Sequence, residues 1–168
     1  MRVVRVSAIP GEKNFAEFEM APEEQILLWH LLRQYPLVPA GHQPLSQHDK
    51  NQDENEQLLA EALAEQRTAN RRQIAALLNE PGRFAAMPGA EDLRVIFTFA
   101  EIEWLLQICN DIRVGSWLAL GSPDLDRRPN PNPKPDVARH YFNMEIAGAF
   151  EMQFIRAVSG GFAAGDIG

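Results

Sequence analysis

The stretch 98–121, TFAEIEWLLQICNDIRVGSWLALG, constrains the fold more than any other part of the chain. Ile102, Leu105, Cys109, Ile112 and Ser116 recur at three- and four-residue spacing, with Trp104, Leu106 and Leu118 beside them. A helix that is apolar on most sides must be surrounded by other elements. Its start is marked by Thr98 and Glu101, a capping box in which hydroxyl and carboxylate each satisfy a free backbone N–H, and Gly121-Ser122-Pro123 ends it.

Near the middle of this helix stand Asn110, Asp111 and Arg113. Charged groups on a core helix are costly unless paired. Adjacent helical residues point about 100° apart, so Asn110 and Asp111 cannot join Arg113 in one tight cluster, and Asp111 and Arg113 must find partners elsewhere. The last helical segment offers Arg139, His140, Asn143 and Glu145. Two readings follow. In the first, the residues tie helices together, Asp111 with Arg139 or His140 and Arg113 with Glu145. In the second, Asn110, Asp111, Arg113 and His140 border a polar cleft that holds a small anion or a peptide group, since an arginine fork matches a carboxylate or phosphate.

The rest of the chain supplies the surroundings. Residues 2–9 are rich in valine, and the alternating run 15–20 follows a turn at Pro10-Gly11, which predicts a β-hairpin over 1–20. Pro22, Glu23 and Glu24 suit a helix start, and Ile26, Leu27, Trp29, Leu31 and Leu32 extend that helix to about Tyr35. Prolines and polar residues make 36–52 an irregular connection. A long second helix is expected over 53–79, with Leu58, Leu59, Leu63, Ile74, Leu77 and Leu78 inward and a polar section from Gln66 to Gln73 that has little to bury. The run 93–97, LRVIF, fits a short strand or extended chain. A proline-rich connection at 124–135 precedes a final helix over 136–158, ended by Ser159-Gly160-Gly161 and followed by a tail, 159–168. The expected fold is thus mainly α: a single domain over 1–168, with about four main helices bundled over 22–158 and the hairpin packed on one side.

Several functions are disfavoured. With 23 acidic and 16 basic residues in 168, the net charge is −7, a poor start for gripping nucleic acid. The Arg67, Arg71 and Arg72 group lies among Glu61, Glu65 and Glu80, and reads as a solvated mixed-charge face. DNA binding through these arginines with Arg127 and Arg128 is the weakest reading. The sole cysteine, Cys109, excludes an intramolecular disulfide and sits in apolar company as an inert core thiol. His30, His42, His48 and His140 are scattered without ligand spacing, so no metal is expected. Neither a signal-peptide core nor a membrane-length apolar run is present, which points to the cytoplasm and to no membrane partner. No phosphate loop, dinucleotide fingerprint or nucleophile elbow is found, so neither catalytic residues nor a cofactor are assigned.

The order of elements, with Trp104, Asn110-Asp111-Ile112-Arg113 and Gly121 on the central helix, resembles an uncharacterised bacterial family known chiefly from actinobacteria and often encoded near the ClpS protease adaptor. The segment 18–28, FEMAPEEQILL, resembles that family's strand leading into its first helix. Where the family tends to place glycine and a second arginine, this chain has Trp117 and Ala119, so a ligand role for a second basic residue does not carry over. One member is linked to oxidative-stress transcriptional control. The resemblance implies a helical regulatory or adaptor-like protein. Together these readings favour a non-enzymatic regulatory or protein-interaction domain, with a protein partner or self-association through the hairpin edge or an exposed helix face. The alternative is a small-molecule or anion-binding domain, with or without catalysis.

Overall fold

The computed structural model describes residues 1–7, 13–37, 50–86, 89, 91–124 and 132–164, with the side chains of 50–56 and 161–164 outside the description. The Pro10-Gly11 turn, His42, His48, Arg127, Arg128 and residues 165–168 therefore lie outside the described residues. Along the chain run β1 (Arg2–Ser7), β2 (Phe15–Met20), α1 (Pro22–Leu32), α2 (Lys50–Asn79), β3 (Phe84–Ala86), β4 (Leu93–Thr98), α3 (Phe99–Ala119) and α4 (Pro135–Ala164).

The strands form one antiparallel sheet in the order β1-β2-β4-β3. This corrects the expectation of a lone hairpin beside a bundle: 93–98 is a full strand, and 84–86 adds a short edge that the sequence reading lacked. Strand β2 is interior, with Phe18 opposite Val3 of β1 and Val95 of β4. Alternation then decides the faces. Ala16, Phe18, Met20, Val95 and Phe97 are buried under the helices. The other face carries the Arg94–Glu17 pair at 2.6 Å and the Arg2–Glu19 pair.

The core lies between this sheet and α1, α3 and α4. Leu28, Leu31 and Leu32 enter from α1, Ile102, Leu105, Ile108, Cys109 and Ile112 from α3, and Ala147, Phe150, Phe154 and Ala157 from α4. Phe18, Phe97 and Phe154 close a ring triangle with centroids 5.8 to 6.0 Å apart, two of its three contacts edge-to-face as aromatic quadrupoles prefer. The closest helix pairing is α3 with α4. Helix α3 begins where the capping box puts it: Glu101 N–H donates to Thr98 Oγ1 at 3.2 Å, and Thr98 N–H donates to Glu101 at 2.8 Å. It ends in a Schellman arrangement, with the N–H groups of Gly121 and Ser122 donating to Leu118 and Trp117 carbonyls and Gly121 at φ +79°. By contrast, α4 continues past Ser159-Gly160-Gly161 to Ala164, so residues 159–164 are helix and not tail. Glycine weakens a helix but, unlike proline, keeps its N–H donor.

Helix α2 departs most from expectation. Ile74 and Leu77 are buried and Leu78 partly so. Leu58, Leu59 and Leu63, expected inward, are 63%, 61% and 43% exposed. The apolar face exists as the spacing predicts, but at the amino-terminal half no described element covers it.

Arg83 fastens the β3 edge to the core. It donates to Glu101 through both terminal nitrogens (2.6 and 3.3 Å), to the Ile96 carbonyl at 2.7 Å and to Glu80 at 2.9 Å, and lies over the Phe97 ring. Arg83→Ala leaves the partly buried Glu101 carboxylate without its cation. The expected cost is about 1–3 kcal/mol in urea unfolding, with Arg83→Lys recovering only part because an ammonium cannot make the fork.

Candidate functional site

The polar group of α3 is divided between two sides of the helix. Arg113 and Asn110 share one: Arg113 Nη2 donates to Asn110 Oδ1 at 3.2 Å, the three-residue spacing bringing them together. Arg113 also pairs across to α4, but with Glu151 at 3.3 Å and not with Glu145. Arg139 pairs with Asp136 on its own helix at 3.6 Å. The interhelical tie expected for Arg113 is therefore real, but its partner lies six residues, nearly two turns, beyond the Glu145 that spacing suggested.

Asp111 faces a second, smaller hollow of about 160 Å³ between α2 and α3, lined also by Tyr35, Leu63, Gln66, Arg67, Asn70 and Gln107. His140 lines neither this hollow nor the groove that holds Arg113. Its Nδ1 is buried without a hydrogen-bond partner.

Arg113 opens onto a groove of about 770 Å³ along α4. Tyr141, Met144, Met152 and Ile155 give it an apolar body, Gly148 and Ala149 keep its floor low, and Arg156, Glu145 and Glu151 add charge. Glu151 is 9% exposed; one carboxylate oxygen meets Arg113 and the other is buried without a partner. Burial raises this carboxyl above its ordinary pKa, and the Arg113 guanidinium pulls it part of the way back. One turn before Arg113 along α3, Cys109 is fully buried, and desolvation, with Glu151 adding to it, pushes the thiol up to about 12. A thiol so far above neutrality holds essentially no thiolate and is not a nucleophile.

A second polar constellation escaped the sequence reading. Trp104 Nε1 donates to Asn70 Oδ1 at 3.0 Å, and Asn70 Nδ2 donates to the Tyr35 hydroxyl at 2.9 Å. Asn70 thus joins α2, α3 and the end of the first helical segment. It lies within the section that showed nothing to bury, and only its spacing of four from Ile74 signals the inward face. Among the described residues no group of three or more His, Cys, Asp or Glu side chains could hold a metal ion, and no described helix is long and apolar enough to cross a membrane. No protein-family model matches the chain, and neither a curated protein nor a solved structure is significantly similar to it.

Two measurements test this geometry. Asn70→Ala strands the Trp104 N–H and the Tyr35 hydroxyl together; it should lower unfolding free energy by about 1–3 kcal/mol and loosen α2 in hydrogen exchange. For Glu151, a folded-state pKa above the unfolded one means that the ionised form is penalised by folding. The penalty is absent below the unfolded pKa and grows as pH rises through the folded pKa. Thermal melts across that range should show wild type losing ground to Glu151→Gln as pH rises; the opposite trend would mean that Arg113 outweighs burial.

Proposed function

We propose that this chain is a non-enzymatic protein-interaction domain of regulatory type that docks its partner on the amino-terminal half of α2. One observation carries this reading: Leu58, Leu59 and Leu63 stand exposed on a helix whose other end is anchored by Ile74 and Leu77. Clustered leucines left in water are unfavourable for an isolated domain, and such patches characteristically mark interaction surfaces. Leu59 and Leu63, four residues apart, share one face, the spacing with which an amphipathic helix meets a groove or another helix. The chemistry of the α3–α4 surface agrees, since its cysteine is buried and held protonated and Arg113 is paired with Glu151. The resemblance of the Asn110-Asp111-Ile112-Arg113 segment to an uncharacterised bacterial family, which implies a regulatory or adaptor-like protein, points the same way.

A second reading has its own support: the groove beside Arg113 combines apolar walls with two arginines, suited to a small amphiphilic anion. In it Asn110, Asp111, Arg113 and His140 no longer act as one site; only Arg113, with Arg156, faces the ligand.

A photo-crosslinking residue placed at position 59, and in a control at exposed Ala75, tests the first reading in cells expressing the chain at natural level. A discrete protein adduct from position 59 and none from 75 is expected. Absence of any adduct from 59, together with a melting point raised by a small anion in wild type but not in Arg156→Ala, would transfer the assignment to the groove.

A further inference from the structure

Resting on the interaction reading of α2, we infer that the partner seated on this helix is a second copy of the chain, with the two α2 helices antiparallel about a twofold axis near residue 61. Residues 50–65 carry Asp53, Glu54, Glu56, Glu61 and Glu65 against the single Lys50; residues 66–79 carry Arg67, Arg71 and Arg72 and no acid. Such a helix is complementary to itself when reversed, and repels itself when parallel. A twofold axis makes every contact reciprocal, so one suitable patch suffices for both copies.

The apolar and polar patterns select the same register. Centred near residue 61, the pairing lays Leu59 of each copy beside Leu63 of the other, while Leu58, about 100° round from Leu59, lies off the seam. Arg67 then runs along the flank of the segment holding Glu56, and Arg71 along the one holding Asp53, while Arg72 is turned off the seam. Glu61, two residues from both Leu59 and Leu63, is turned off the seam and is not forced against its own copy. The seam is the continuation of the face that packs Asn70, Ile74 and Leu77 on the core of the same chain. Helix α2 therefore has one anchored end and one free end on a single face, the arrangement a helix needs in order to belong to two cores at once. The hollow of Tyr35, Leu63, Arg67 and Asp111 lies at the junction of the two stretches.

Sedimentation equilibrium of the full chain across the micromolar range tests the inference, with circular dichroism confirming that each variant is folded. Wild type should show a monomer–dimer equilibrium. Leu59→Glu with Leu63→Glu should be monomeric with an unchanged spectrum, since both leucines are exposed. Arg67→Glu should weaken association at least tenfold, and adding Glu56→Arg to it in the same chain should restore association, a rescue that no merely local role of Arg67 yields. A wild type that is monomeric throughout, a dimer that survives the leucine pair, or a dimer indifferent to the charge reversals overturns the inference. The photo-adduct at position 59 then separates the two levels. A heterologous protein, or residues 38–49 of the same chain, crosslinked there would replace the second copy as occupant. The heterologous adduct leaves the interaction reading standing; the internal one removes it as well.

Discussion

A single carboxylate, that of Glu101, holds the joint on which the architecture turns. It accepts the Thr98 backbone N–H and hydroxyl at the start of α3, and with its remaining capacity it takes the Arg83 fork from the β3 side. The point where the chain stops being strand and becomes helix is thereby fixed against the edge of the sheet. Phe97, one residue before the cap, is aimed into the phenylalanine triangle with Phe18 and Phe154, and Arg83 covers its ring from the other side. The direction in which α3 leaves the sheet, and so the surface it offers α4, follows from that joint. Local capping and long-range packing agree here, which is what a well-specified fold requires.

Such local signals were legible in the sequence. Thr98 and Glu101 lie three residues apart and Gly121 closes the same helix, so both ends of α3 could be read without knowing its surroundings. The β1–β2 pairing was legible for the same reason. The sheet was not, because β4 reaches β2 across more than seventy residues and β3 has only three residues, too few to show an alternating pattern. Periodicity identified the apolar face of α2 correctly but could not say whether anything lies against it. Leu77 and Leu59 look alike in sequence; one is in the core and the other in water.

The polar group on α3 shows the same limit. That Arg113 needs a partner on the last helix was deducible from the cost of an unpaired charge. That the partner is Glu151 and not Glu145 depends on the relative shift of two helices, which no spacing within either one reports. Asn70 is the converse case. Its side chain gives no reason to expect a buried role, yet it mediates between Trp104 and Tyr35, because an amide can accept from one and donate to the other.

The borders of the sheet have a consequence for how copies of this protein can meet. An open strand edge is a template for unwanted pairing, and proteins blunt such edges by shortening, bending or charging them. Here β3 offers only three residues, and β1 breaks register between Val3 and Arg5 while carrying Arg2 and Arg5 along its length. Both features disfavour extension of the sheet into a neighbour. Strand addition, the route to fibres, is thus hindered at both sides by a short border and by one that is bent and charged.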